Sequence, residues 1–259
     1  MTDLEPAFLH FLQEQPTGSG ETITDSLLTA ISLGILRVGD RLPPEPALAR
    51  RLGVAVATLR KSLAELRELG VVATRRGRGG GTVVVRQPSP DDAQISRWLE
   101  RTSVFQIRDL GDEHTAIAVA VARLACSRAH ASELAPLEAL VTRLKTAETA
   151  ADRARADSRF HIQLAVAAQS PRLLQDEIRR QGETATVLWS PLVHGMTARS
   201  AANDHRDLLQ AVRSGDAALA MTLAEDHIRR NVYCLIDAHL NLTSAATSPD
   251  ETPAPELDS

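Results

Sequence analysis

The fold of the N-terminal part is decided by residues 39–85, which read GDRLPPEPALARRLGVAVATLRKSLAELRELGVVATRRGRGGGTVVV. Leucines recur at helical spacing in a short segment, Glu45–Leu52, and in a longer one, Val56–Leu69, whose leucines up to and including Leu69 are expected to face the core. Pro46 falls in the first turn of the short helix, where its missing N–H is tolerated. Because the two predicted helices are joined by a few residues around Gly53, they are typical of a helix-turn-helix.

The segments on either side of the helix pair extend it to a winged helix. Apolar residues at helical spacing predict a preceding helix over residues 23–31. After the helix pair, Val71–Thr74 and Thr82–Val85 are short runs rich in Val and Thr, which predict two strands. The connection between them holds three arginines and four glycines and is predicted to form the tip of a hairpin, the wing.

Basic side chains lie where a winged helix meets DNA. Thr58, Arg60 and Lys61 come at the start of the second helix of the pair, the position of a recognition helix. Arginines at a hairpin tip can enter a narrow minor groove or bind phosphate, and glycines let the backbone approach closely. A solvated basic loop is the alternative for the tip taken alone. The predicted DNA contacts are Arg50, Arg51, Thr58, Arg60, Lys61, Arg75, Arg76, Arg78, Gly79 and Gly80.

The charge distribution supports a nucleic-acid partner for this part only. The 259-residue chain has a net charge of −4. Residues 21–86 carry 11 Lys and Arg against 6 Asp and Glu, whereas residues 87–259 carry 18 against 24. A basic segment joined to an acidic one predicts phosphate contacts near the N-terminus.

Composition excludes several other classes. With 43% apolar, 24% charged and only 3% aromatic residues, the chain is typical of a globular, mainly helical protein and not of a disordered one. The longest apolar run, Ala116–Ala122, is too short to cross a membrane. Asp3 and Glu5 stand where a signal peptide would be basic. Cys126 and Cys234 are isolated, so we expect reduced thiols and a cytoplasmic location.

The sequence predicts a mainly α protein with two folded units. Two prolines in a short stretch mark a linker, helical periodicity follows with breaks near residues 170, 190 and 215, and the C-terminal residues are polar and proline-rich. The predicted divisions are an arm (1–20), a winged helix-turn-helix with a small β-hairpin (21–86), a linker (87–91), an all-α helical bundle (92–240) and a disordered tail (241–259).

Four polar side chains lie on apolar helix faces of the second unit. Asp157 and His161 are four residues apart and therefore share a face, and His205 and His227 each lie among apolar residues of another helix. One Asp and three His can ligate a divalent metal. Structural histidines, or an Asp157–His161 pair, explain the same pattern, and the sequence alone does not show that the helices converge.

Residues 35–84 resemble the DNA-binding domain of the GntR family of bacterial transcription regulators. The resemblance rests on Gly39-Asp40-Arg41-Leu42-Pro43-Pro44-Glu45, Leu48-Ala49, Leu52-Gly53-Val54, Thr58-Leu59-Arg60, Leu63, Leu66, Gly70-Val71-Val72 and Gly77-Arg78-Gly79-Gly80-Gly81-Thr82-Val83. Pro46 and Ala55-Val56-Ala57 depart from the pattern, so base contacts at positions 46, 56 and 57 are not carried over. The resemblance implies DNA binding through Thr58, Arg60 and the wing.

The second unit resembles the FCD ligand-binding domain of the FadR-like branch of that family. The matching pieces are Ile107-Arg108 with Glu113, Asp157-x-x-Phe160-His161-x-x-Leu164, Asp204-His205-x-x-Leu208-Leu209 and Met221 with His227-Ile228. The resemblance implies that Asp157, His161, His205 and His227 hold a divalent metal, with zinc expected first and nickel or manganese as alternatives. It also implies an effector carboxylate near Arg108, and we expect His114, on the same helix, to be the second effector-binding residue. Gly111 within that helix predicts a local distortion.

These inferences predict a homodimeric DNA-binding regulator rather than an enzyme. We expect a repressor that binds a pseudo-palindromic double-stranded operator and releases it when a small carboxylate effector binds, with no membrane partner. Two alternatives remain at this point. One is a metal-dependent hydrolase with an accessory DNA-binding domain, and the other is a regulator that senses the metal itself.

Overall fold

The computed structural model describes residues 23–77 and 80–247. Its helices are α1 (Ile23–Ser32), α2 (Glu45–Arg51), α3 (Val56–Glu68), α4 (Asp92–Arg101), α5 (Val104–Arg128), α6 (Ala131–Thr146), α7 (Ala150–Ala167), α8 (Pro171–Leu188), α9 (Ala198–Ser214) and α10 (Ala217–Thr247). Its strands are β1 (Val72–Arg75) and β2 (Gly81–Val84). The described part of the chain is therefore mainly α with one small sheet, as the sequence predicts.

The winged helix-turn-helix forms as predicted, with small shifts at its ends. The strands β1 and β2 are antiparallel, and Val72 pairs with Val84, so β1 begins one residue later and β2 one residue earlier than predicted. Arg41 adds an isolated bridge to Val83. Leu69 was expected to face the core but is 49% exposed, because α3 ends at Glu68 and the chain turns away at Leu69.

The second unit is a helical bundle in which α5 packs along α10. Asp91 caps α4: its carboxylate accepts a hydrogen bond from the backbone amide of Gln94 at 2.7 Å.

The prediction of a local distortion at Gly111 is wrong, since α5 runs uninterrupted from Val104 to Arg128. Gly111 instead permits close helix packing, because a Cβ there would lie 2.4 Å from Val232 Cγ2. The loss of helix propensity at a glycine is outweighed by this close approach.

The bundle helices break at the three predicted places, but they also break at residues 102–103, 129–130 and 147–149, which the sequence does not predict, and the C-terminal end differs too. Helix α8 begins at Pro171 and ends at Leu188, and α9 ends at Ser214. Helix α10 continues to Thr247, so residues 241–247 are helical and do not belong to a disordered tail. Leu242 in this extension packs against apolar residues of the bundle, which supplies a reason for the added turns. Residues 1–22 and 248–259, with the predicted arm and the rest of the tail, lie outside the described residues.

The two units touch through α1 and α8. A Cβ added at Gly182 of α8 would lie 3.0 Å from Thr29 Cγ2 of α1, so the two helices approach closely at this point. In the linker, the Gln87 side-chain amide donates to the backbone carbonyl of Ile31 at 3.1 Å. Helix α8 therefore belongs to the bundle but also borders the DNA-binding unit.

None of the helices in residues 23–77 and 80–247 has the length and hydropathy that a membrane span requires.

Candidate functional site

The predicted DNA contacts on α2 and α3 lie on the outside of the winged helix. In the recognition helix α3, Thr58, Arg60 and Lys61 are exposed, whereas Leu59 between them is fully buried. This alternation anchors the helix through one side and leaves the polar side free. Arg50 and Arg51 at the end of α2 are exposed as well. These positions leave the side chains free to meet a phosphate backbone, as a recognition surface requires.

One of these arginines already has a partner. The Arg60 guanidinium donates to Glu45 Oε2 at 2.7 Å, an ion pair that joins α3 to the start of α2. Because the Arg60 side chain is 67% exposed, the pair is worth little to stability and can exchange for a phosphate.

The wing is built by a glycine that no other residue could replace. A Cβ at Gly80 would lie 2.4 Å from the carbonyl oxygen of Arg75, so the hairpin can close only with glycine there. The Gly80 amide donates to the Gly77 carbonyl at 2.8 Å, which closes the turn. Arg75 and Arg76 are exposed at its edge. Arg78 and Gly79 lie outside the described residues.

The four predicted metal ligands meet in the interior of the bundle. Asp157 and His161 come from α7, His205 from α9 and His227 from α10, and one ligand atom from each lies within 4.8 Å of the others. Each residue is at most 5% exposed. His205 Nε2 is 3.3 Å from both Asp157 Oδ1 and His161 Nε2. We call these four residues the His/Asp cluster. The tertiary fold thus supplies the convergence that the sequence leaves open.

Burial favours the neutral form of two histidines of the cluster, His161 and His205. It lowers the pKa of His161 to about 3, and the nearby charge of His227 adds to the effect. Burial also lowers the pKa of His205 well below its ordinary value, with contributions from His161 and His227. A neutral imidazole carries a nitrogen lone pair, which is the form that binds metal.

The carboxyl group of Asp157 is buried and only partly compensated. Burial raises its pKa, although the charge of His227 and the side chain of Trp189 act in the opposite direction. Its Oδ1 atom makes no hydrogen bond to the described residues, although His205 Nε2 lies 3.3 Å away. An uncompensated buried carboxylate is costly, and a divalent cation would remove that cost. Neighbouring ligands around a tetrahedral ion lie about 3.4 Å apart, close to the two 3.3 Å separations of His205. The donor set therefore fits a divalent metal.

Side chains around the cluster hold its rings in place. Asp204 Oδ2 lies 3.3 Å from His227 Nδ1 and 2.6 Å from an Arg230 Nη atom. This contact places the Nδ1 proton toward the carboxylate and leaves Nε2 as the ligand atom. Phe160 stacks on His205 with the ring centroids 3.9 Å apart. Asp204 precedes His205 in the sequence, but only the fold shows that it serves His227 on the next helix.

Sequence reasoning missed a second buried acid, Glu177 on α8. His114 Nε2 lies 3.1 Å from Glu177 Oε1, and the Gln181 amide donates to the same oxygen at 2.9 Å. Burial alone would raise the pKa of Glu177, but the charge of His114 and the two hydrogen bonds outweigh it and bring the pKa to about 2. An acid on the same helix face as Leu174 and Ala185, three residues after the first and eight before the second, is the signal that could have revealed it.

A cavity opens beside the cluster, and it contains one of the two predicted effector residues. The cavity itself is small, about 30 Å³, and the figure rises to about 460 Å³ only when the gaps between side chains and the open mouth are counted. His114 and Asp157 line it. Arg108 does not: it is exposed on α5, because one helical residue turns its side chain by about 100° from that of the lining residue Ile107. The expectation that Arg108 binds the effector is not supported by this arrangement.

Comparisons with known proteins agree with the two units. Residues 19–84 match the family "Bacterial regulatory proteins, gntR family", and residues 109–230 match the FCD domain. The chain is 49% identical to a putative HTH-type transcriptional regulator of Mycobacterium gastri, RmpR, over 91% of this chain and 89% of that protein. It is 27% identical to an uncharacterized HTH-type transcriptional regulator of Mycobacterium tuberculosis, Rv0494, over 85% and 90%.

A solved structure shows the same fold. The E. coli protein McbR/YncC is 16% identical, with a TM-score of 0.50, over 83% of this chain and 95% of that one. The relatives are transcriptional regulators rather than enzymes, so the hydrolase alternative falls away. The chain belongs to the GntR family of bacterial regulatory proteins and is a transcriptional regulator with an N-terminal helix-turn-helix and a C-terminal FCD domain.

Proposed function

We propose that this regulator is a homodimeric repressor whose DNA affinity is set by a small organic acid bound at a metal in the FCD domain. The observation that carries the proposal is the His/Asp cluster, with three buried histidines and a buried Asp157 oxygen that makes no hydrogen bond, at the wall of a cavity. Asp157, His161, His205 and His227 would hold the metal. Zinc suits the nitrogen-rich donor set best, and nickel and manganese are the alternatives. The metal supplies a positive charge that attracts a carboxylate.

The DNA-binding half of the proposal rests on the exposed side of α3 and the wing. Two copies of the chain would place two recognition helices on a pseudo-palindromic operator, because the symmetry of a dimer matches that of its site. Arg50, Arg51, Thr58, Arg60, Lys61, Arg75, Arg76, Arg78, Gly79 and Gly80 are the proposed contacts. Phosphate contacts by these cations make the affinity strongly dependent on salt.

Helix α8 offers a physical route from the cavity to the DNA-binding unit. Gln181 and Leu188 line the cavity, whereas Gly182 on another side of the same helix touches Thr29 of α1. A ligand that displaces α8 would therefore also change how α1 packs against the bundle. Release of DNA requires only that the effector binds better to the arrangement that fits the operator poorly.

The first experiment is elemental analysis of the full-length protein purified without chelators, wild type beside His205→Ala. We expect about one divalent metal ion per chain in the wild type, because the chain has one four-ligand site, and we expect the variant to lose this ion. His194→Ala, which changes an exposed histidine outside the cluster, is the matched control. An equal metal content in all three proteins would refute the ligand assignment.

The second experiment tests control of DNA binding. A target sequence is selected from random duplex DNA with the metal-loaded protein, and fluorescence anisotropy then measures affinity with and without added small carboxylic acids. Loss of affinity on adding an acid supports effector control. If affinity instead follows the concentration of free metal and no acid changes it, the metal itself is the signal.

A further inference from the structure

The cavity beside the His/Asp cluster is charged at one end and aliphatic elsewhere. Asp157 marks the charged end, where the cluster meets the cavity. Most of the remaining wall is hydrocarbon, supplied by Ile107, Leu110, Ala185, Leu188, Ile228, Val232 and Leu235. A ligand whose carboxylate lies at the cluster would therefore place the rest of its body against apolar side chains. Burial of that body is favourable only if the body is apolar too.

Apart from Asp157, most polar side chains of the cavity wall have partners within the protein. His114 and Gln181 both bond to Glu177, and the Thr184 hydroxyl donates to the Arg180 carbonyl at 2.9 Å. The Asn231 amide lies 3.3 Å from His227 Nε2, the atom that would bind the metal, so Asn231 would lose this partner when the metal is bound. His114, Gln181 and Thr184 are thus committed to holding the cavity wall, which lowers the gain from a highly hydroxylated ligand.

No lysine or arginine is found among the described residues that line this cavity. Arg108 points to solvent, and the buried guanidinium of Arg180 is occupied by Glu113 and Glu183 at 3.3 and 3.0 Å. A second ligand carboxylate would enter apolar surroundings without a cation to pair with, which is costly.

We propose that the effector is a small aliphatic monocarboxylic acid and that this cavity rejects dicarboxylic acids. This inference rests on the proposed function, because the anchor for the single carboxylate is the metal at the cluster. The absence of a cation from the described cavity wall and the aliphatic side chains around it determine the selectivity.

The test compares acids that share a carbon skeleton and differ only at the far terminus. Isothermal titration calorimetry on the full-length, zinc-loaded protein uses propanoate with malonate, pentanoate with glutarate, and heptanoate with pimelate. In at least one pair we expect the monoacid to bind and its diacid to bind more weakly by about tenfold or more. Equal or tighter binding of the diacid throughout, or binding of neither member of any pair, would overturn the inference.

A charge introduced on the wall should reverse the preference. Thr184→Lys places an ammonium group at the cavity and should raise the affinity for the preferred diacid relative to its monoacid by about tenfold. Thr186→Lys is the matched control, because Thr186 lies two residues along α8 and faces the crevice toward α1 instead. If Thr184→Lys is folded, as shown by thermal unfolding, and still prefers the monoacid as the wild type does, then Thr184 does not line the site that binds the acid.

Metal content separates failure of this inference from failure of the proposed function. If the wild type holds about one zinc per chain and the diacids bind as well as the monoacids, the metal anchor stands and the monoacid selectivity is wrong. If the wild type holds no zinc, the metal anchor is wrong and the inference fails with it.

Discussion

Acidification of the metal-free protein should destabilise it through His161. Burial holds the pKa of this side chain at about 3 in the folded chain, against an ordinary value of 6.5 in the unfolded one. A folded-state pKa below the unfolded one means that stability is present above about pH 6.5 and is lost as the pH falls toward 3. At about pH 5 the unfolded chain is protonated at this residue and the folded chain is not.

The size of the effect follows from the 1.5-unit gap between pH 5 and the unfolded value of 6.5. Each pKa unit corresponds to about 1.4 kcal/mol, so His161 alone removes about 2 kcal/mol between pH 7.5 and pH 5. The result depends only on a folded pKa below 5. Glu177, with its pKa at about 2 and an ordinary value of 4.5, loses its contribution at lower pH and does not interfere.

Urea unfolding followed by circular dichroism, with a chelator present, measures this loss. Wild type and His161→Gln are compared at pH 7.5 and pH 5, because glutamine does not titrate. Asp157 acts in the opposite direction, since its raised pKa makes folding more favourable as the pH falls. His161 is not among the causes of that shift, so the contribution of Asp157 is expected to be similar in both proteins.

We expect the wild type to lose about 2 kcal/mol more than His161→Gln over this range. His194→Gln, at an exposed position, should behave as the wild type does. Equal pH dependence in wild type and His161→Gln would show that burial does not hold the His161 imidazole neutral. Burial would then not explain why this side chain is in the form that binds metal.

Three further perturbations test the packing, the DNA surface and the cluster. Gly111→Val should cost about 1–3 kcal/mol in urea unfolding, because the new side chain meets Val232, and Val232→Ala in the same chain should recover part of the loss. Arg60→Ala should weaken binding to the selected DNA and reduce the slope of log affinity against log salt by about 1, and an unchanged slope would exclude a phosphate contact. Asp204→Asn should lower zinc affinity about 10–100-fold in a chelator competition, because His227 loses the partner that orients it, and unchanged affinity would remove that role.

Local patterns were sufficient to predict the winged helix. Leu59, Leu63 and Leu66 recur at helical spacing and are all buried on one side of α3, so periodicity alone identifies the helix and its exposed polar side. The spacing around Gly53 and the glycine-rich wing are local features too. The errors are at element ends: Leu69 is exposed, and α10 continues past residue 240. Helix ends depend on packing against neighbours, which periodicity does not describe.

The sequence by itself determined the class of the protein and the identity of the four cluster residues. Only the tertiary structure decided that these residues meet, because their contact joins helices separated by tens of residues. It also decided that Glu177 lies behind His114 and that Arg108 points away from the cavity. A helix face can be read from spacing, but which faces oppose one another depends on the packing of the whole bundle. That packing sets the electrostatics of the cluster and the aliphatic character of the cavity beside it.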